Sequence, residues 1–475
     1  MIKHIHRITR LKMLRDLASL AGGRFAGSLI AFVGYAHLAR VLDPRYYGYV
    51  ELATWIALLA TMVIDAGLAT IGTREISHAH DRAPELAANV PACQFLITLV
   101  VLPIAMILPL IMNQPWEGTF LIWIFCLGLL AYPWKLDWLF QGLEMMNVAG
   151  YFYAFRTAVF TIGVFLFVRS NGDFITVGWI ELFAATTVVL YFGYFQFKHV
   201  GPIRLRFSWK FCRTYIPQGF VLGLSNMIWT AIQSMPVMFL AAFAGAAETA
   251  WLAAPLRIVI ALLTLSWIYL YNIYPTMVRE FHRSPEAMNR LVVASMRVVS
   301  WGTLFGILPL ALLSEPILKT LYGPKFHESV PVFEVLLWVL PITLISGHFR
   351  WSLTAAGKYS YVLHSHIVGL IAALLVGVIL IPLFASFGAA LTMLVSSSAI
   401  LISSYIFSLT KLPGGASLDI MLLPTALAAI LFMTLPQVGL NPWASASIAA
   451  AIFVLAGALE PRLLRDIRSL AAAKS

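Results

Sequence analysis

Residues 17–42 read LASLAGGRFAGSLIAFVGYAHLARVL, and five cations precede them: Lys3, Arg7, Arg10, Lys12 and Arg15. This apolar run outlasts the roughly 7–15 residues of a signal-peptide core, and no small-residue cleavage site closes it. It is long enough to cross the hydrocarbon of a bilayer, which takes about 20 residues of helix. A first transmembrane helix is expected here.

The signal repeats along the chain. Of 475 residues, 60% are hydrophobic and 11% charged, whereas a soluble domain carries roughly 25% charge. So small a supply cannot cover a surface in water, which excludes a soluble enzyme, a disordered chain and a nucleic-acid-binding domain. Apolar stretches of spanning length recur from 47–72 down to 441–460, giving an all-α polytopic membrane protein with about 14 transmembrane helices. The net charge of +11 points to cytoplasmic loops and to anionic lipid or ligand. With the amino terminus inside, 22 of the 32 Lys and Arg fall on inside segments, five outside and five within spans. The positive-inside rule then places both termini in the cytoplasm. Cys93, Cys126 and Cys212 are odd in number and far apart, and read as neither a disulfide framework nor a metal cluster. Three H-x-H pairs (His4/His6, His78/His80, His364/His366) lack a third ligand nearby, so no metal or other cofactor is expected.

The longest polar break lies at 198–215, and the halves on either side echo each other. Gly23 and Gly27 in the first span match Gly219 and Gly223 in the seventh, a small-xxx-small spacing that lets helices approach closely in lipid. Arg74-Glu75 with Pro84-Glu85 match Arg279-Glu280 with Pro285-Glu286. The expected organisation is an amino-terminal six-helix lobe at 1–200, a basic cytoplasmic linker at 201–215, a second six-helix lobe at 216–411, and an additional helix pair with a basic tail at 412–475. Because six is even, the halves are parallel repeats.

Motifs spread over most of the chain carry a resemblance. They are Leu38-Ala39-Arg40-Val41-Leu42-Asp43-Pro44 followed by Tyr47-Gly48, Gly67-Leu68 with Arg74-Glu75, and Trp138-Leu139-Phe140-Gln141-Gly142-Leu143-Glu144. Later come Leu321-Tyr322-Gly323-Pro324-Lys325-Phe326, Ala355-Ala356-Gly357-Lys358, and Pro382 with Phe387-Gly388-Ala389-Ala390. Together they resemble the polysaccharide flippases of the multidrug/oligosaccharidyl-lipid/polysaccharide superfamily, the Wzx type, related to lipid II flippases and MATE exporters. The resemblance implies two six-helix lobes around a central cavity and alternating access. It also implies the substrate, an undecaprenyl-diphosphate-linked oligosaccharide moved from the cytoplasmic to the outer leaflet of a bacterial inner membrane. The polymer would be O-antigen (lipopolysaccharide), exopolysaccharide or capsule, with membrane lipids, a polysaccharide polymerase and other assembly proteins as partners.

Such a substrate needs a cationic interior, since each charge buried in hydrocarbon costs several kcal/mol, roughly. Guanidinium suits a diphosphate because its planar fork pairs with phosphate oxygens and stays charged. Five arginines lie within spans. Arg24 sits about two turns, roughly 11 Å, inside the first span, flanked by small residues. Arg257 lies deeper in the eighth, beside Pro255. These two, with Arg156 and Arg350, are the candidate substrate-binding residues. Arg297 and Arg350 lie near cytoplasmic ends, where snorkelling to the headgroups competes. Asp65, Asp137 and Glu181 are the candidates for ion coupling to a proton or sodium gradient, with pairing to arginine as the plainer reading. No P-loop exists, and neither a D-x-D nor a large external loop is present, so the chain is expected not to be an enzyme. A multidrug exporter of the same superfamily, or a membrane enzyme of polysaccharide assembly, is the alternative; the first needs an acidic cavity and the second acids in a long external loop.

Overall fold

Hydrocarbon offers no water to a bare peptide group, so a chain this apolar has to bond its backbone within each segment. The computed structural model describes residues 2–202, 207–413 and 417–472, and among them are seventeen α-helices and no strand. In chain order they are α1 (Ile2–Val41), α2 (Pro44–Asp65), α3 (Leu68–His78), α4 (Ala83–Ile111), α5 (Trp116–Leu127), α6 (Asp137–Gly142), α7 (Met146–Phe167), α8 (Phe174–His199) and α9 (Trp209–Phe243). There follow α10 (Ala246–Arg283), α11 (Pro285–Leu312), α12 (Ser314–Tyr322), α13 (Ser329–Ala355), α14 (Tyr359–Lys411), α15 (Leu422–Thr434), α16 (Pro442–Ala458) and α17 (Pro461–Ala472).

Eleven described segments are long and apolar enough to cross a bilayer, or twelve if α16 and α17, bent by 80°, act as one span. The expected fourteen is not reached by that count, which leaves out α1 and takes α14 once. α14 is 53 residues long, roughly 80 Å if straight, against a hydrocarbon core of about 30 Å. It does not run straight. Ala385 leaves the helical region at φ 46°, ψ −125°, and Gly388 comes back against the Leu380 carbonyl so closely that a Cβ would overlap it. Two arms therefore meet at Ala385, each of spanning length.

The described chain forms two compact units, residues 1–253 and 254–475. In the first, glycine decides how close the helices come. Gly23 and Gly27 of α1 lie against the backbones of Gly150 and Tyr153 in α7, and Thr161 Oγ1 donates to the Ile30 carbonyl at 2.9 Å. Gly219 and Gly223 of α9 meet Ala66, Gly67 and Leu68 at the α2–α3 turn, where Gly67 has φ +73°. A side chain there would be strained and would also strike α9. Behind these contacts Phe140, Phe152 and Phe192 anchor an apolar core between α6, α7 and α8. That core includes Cys93 and Cys212, which are joined as a disulfide with Cα atoms 6.1 Å apart. The sequence reading of unpaired cysteines is thereby corrected. Positions 119 apart in the chain carry no sign of proximity, and α4 and α9 bring the two within bonding range.

In the second unit α13 is central, with Phe349, Ile345 and Leu353 buried against Met277, Met288 and Met296. Gly347 admits Leu270, and the Tyr322 hydroxyl donates to the Ala254 carbonyl at 2.9 Å. Elsewhere the helices turn large apolar side chains outward. Val100, Ile104, Ile107 and Ile111 on α4, and Leu375, Ile379 and Leu383 on α14, are all at least half exposed, as lipid-facing surfaces require.

Candidate functional site

The segment Trp116–Gly142 is one candidate span, but its helix is broken. α5 gives way to a 3-10 stretch at Gly128–Trp134 containing Pro133, and regular helix resumes only at Asp137. Irregular backbone inside a membrane protein is tolerated where protein or a polar cavity surrounds it. Here the break delivers Lys135 and Asp137 into the first unit.

Asp137, 8% exposed, is the hub. It accepts a hydrogen bond from the Tyr153 hydroxyl at 3.1 Å and an ion pair from Lys135 Nζ at 3.4 Å. The Tyr153 hydroxyl in turn accepts from Arg24 Nη2 at 3.4 Å. The Tyr153 ring lies under both cations, 4.9 Å from the Arg24 guanidinium and 5.6 Å from Lys135 Nζ, within cation–π range. Asp65, at the end of α2, accepts from the Ala69 amide at 3.2 Å and from Gln94 Nε2 at 3.1 Å. Lys135 and Asp137 are close enough to act on Asp65 electrostatically. The other amide atom, Gln94 Oε1, is a buried acceptor with no hydrogen-bond partner among the described residues. Two cations, two carboxylates, a tyrosine and an amide thus share one polar region in an apolar bundle.

The sequence-derived candidates divide accordingly. Arg24, Asp65 and Asp137 are brought together. Arg156 and Glu181 are paired with each other between α7 and α8. Arg257 is half-buried on α10. Arg350, 7% exposed, donates from Nε to Ser346 Oγ at 3.2 Å and from Nη1 to His366 Nε2 at 2.9 Å. It is enclosed within the second unit, so snorkelling does not describe it. Nor does it describe Arg297, which pairs with Asp466 of α17. Near Arg350, the wholly buried His348 donates from Nδ1 to the Leu344 carbonyl at 2.9 Å, which leaves Nε2 to accept from Ser295 Oγ at 2.8 Å. Tyr269 bonds the same Ser295 hydroxyl.

Lys135, Tyr153 and Gln94 were not among the candidates. Lys135 reads from sequence as a loop cation. The usable signal was its neighbourhood: a Lys-x-Asp pair between Trp134 and Trp138, after a proline, inside an otherwise apolar segment. Outside the spans, at the end of α3, Glu75 bonds Arg74 at 2.9 Å and Arg82 in a second ion pair. Those guanidiniums, Arg74 foremost, hold its carboxyl below the usual carboxylate range.

A many-spanned helical protein, with a broken helix placing charge inside one unit, is built as secondary transporters are. Solved structures agree on the fold. The chain resembles "Lipid II flippase MurJ, inward closed conformation" at TM-score 0.70 and 12% identity, covering 92% of this chain and 97% of that one. It also resembles the inward-facing conformation of a multidrug resistance MATE family transporter of the MOP superfamily, at TM-score 0.63 and 14% identity, over 80% of this chain and 93% of the other. No curated protein sequence matches it. The profile of the family described as "Polysaccharide biosynthesis protein" matches residues 13–281, more than half of the chain, and the chain belongs to that family.

Proposed function

We propose that this protein is a flippase that carries undecaprenyl-diphosphate-linked oligosaccharide from the cytoplasmic to the outer leaflet of a bacterial inner membrane, for O-antigen, exopolysaccharide or capsule assembly. The observation that carries the reading is the Arg24–Tyr153–Asp137–Lys135 chain of contacts at a break in a membrane helix. Family membership and the likeness of fold to a lipid II flippase support the lipid-linked class of substrate.

The chemistry follows from charge balance. With all four groups ionised, Arg24 and Lys135 are offset by Asp65 and Asp137. An arriving diphosphate competes with Asp137 for Lys135 and with the Tyr153 hydroxyl for Arg24. A sodium ion or proton taken up at Asp137 frees Lys135 for the substrate, and one at Asp65 removes a negative charge from the same region, which links an ion gradient to substrate binding. The Tyr153 ring keeps Arg24 and Lys135 on one surface, where a bidentate guanidinium contact orients the phosphate and the lysine adds charge.

Cells lacking the protein should accumulate cytoplasm-facing lipid-linked repeat units while still synthesising them; failure to make the units sinks the flippase reading in favour of an assembly enzyme. Arg24→Lys should lower polymer export at normal protein levels and Arg24→Ala should lower it further, because fork geometry is lost first and charge second. Wild-type export by Arg24→Ala in blot-matched cells would move the diphosphate site elsewhere.

A further inference from the structure

α16 ends at Ala458, and the chain bends by 80° into α17. We take α16, 17 residues long and so about 25 Å of helix, as the membrane-crossing arm of the pair; a helix leaving it at that angle runs along the membrane surface instead of out into water. At 100° per residue its side chains sort into three faces. The inner face is docked: Leu463, 6% exposed, and Trp301 of α11 both lie against Gly457, and Asp466 pairs with Arg297 of α11. Beside it run Leu464 and Ile467, 41% and 45% exposed. On the third face stand Arg462, Arg465 and Arg468, spaced three apart and all exposed, with Arg462 bordering the docked face and Arg468 bordering the apolar strip. None of the three has a carboxylate partner among the described residues.

This order, docked then apolar then cationic, is what a helix lying in the interface requires: the apolar strip enters the acyl boundary and the charged strip stays at headgroup level. We propose that α17 binds the anionic phospholipid headgroups of the leaflet at which α16 ends, through Arg462, Arg465 and Arg468, with Leu464 and Ile467 sunk beside the acyl chains. Charge complementarity selects the occupant. Guanidinium forks match headgroup phosphates, and Asp466, the one acid within the helix, is already engaged by Arg297. The Arg297–Asp466 pair fixes the rotation of the helix, so the cationic strip faces the headgroups without further adjustment.

The test uses the full-length protein in nanodiscs of neutral lipid and in nanodiscs of the same lipid with one third anionic phospholipid, read by amide hydrogen exchange over residues 461–470. Each arginine near an anionic surface favours the bound state by about fivefold. Exchange should therefore be slower in the anionic discs by at least about fivefold, and the difference should collapse in high salt. Arg462→Gln/Arg465→Gln/Arg468→Gln keeps good helix formers and should abolish the lipid dependence while leaving exchange in α11 and α13 unchanged. Equal protection in the two lipids, a lipid dependence that survives the triple substitution, or fast exchange of α17 in both discs would each overturn the proposal. Slower exchange seen only when a cell extract is added would assign the strip to a protein instead.

Discussion

Truncating Arg297 strands the carboxylate of Asp466, 15% exposed, on the docked face of α17. A charge left there without its partner costs more than the pair itself contributes. A double-mutant cycle on Arg297→Ala and Asp466→Ala, read by thermal unfolding in detergent, should give a coupling of about 0.5–3 kcal/mol. Additive effects would mean that the pair does not form. Arg297→Lys should fall between wild type and Ala, since an ammonium can pair but lacks the fork. From sequence alone the expectation was the opposite, a snorkelling side chain for which Lys is silent. The reason lies in distance along the chain: Asp466 is 169 residues away, and no local pattern announces it. Arg24, which the structure has exposed beside Tyr153, was legible as a cation within a span because small residues flank it on its own helix. Tyr153, which holds it, was not, because that contact spans 129 residues.

At the scale of elements, glycine spacing was readable and the broken helix was not. Gly23/Gly27 and Gly219/Gly223 stand four apart, the repeat of one helix face, and each pair lies at a close backbone contact. Gly23→Ala puts a methyl group into the Gly150 backbone, which cannot swing aside as a side chain can; overpacking of this kind costs about 1–3 kcal/mol. Gly193→Ala has nothing within 4 Å and gains helix propensity of up to about 1 kcal/mol. Thermal unfolding of the two variants should thus shift in opposite directions, and equal shifts would disprove the contact. The break before Asp137 escaped detection because a lysine and an aspartate two residues apart read as a loop that closes one span, not as a bend within it.

For the molecule as a whole, summed quantities were the legible ones. Apolar fraction and charge count place the chain in a membrane whatever its pairing, and family motifs survive loose spacing. Topology rests on the same sums and is testable. Reporter fusions after Gly201 and Lys474 should both report cytoplasm and one after Asn113 the outside; an external signal after Lys474 would mean that the last helices are miscounted. Covalent pairing, by contrast, is a property of the folded chain only. The Cys93–Cys212 bond, between side chains 1% and 3% exposed and so shielded from thiol exchange in solution, turns the backbone between them into a closed ring. α5 to α8 lie wholly on that ring, while α1 to α3 and α10 to α17 hang from it as two tails. A peptide bond cut in the segment between α8 and α9 opens the ring without releasing either tail, so the sequence can be severed there while the molecule remains one piece.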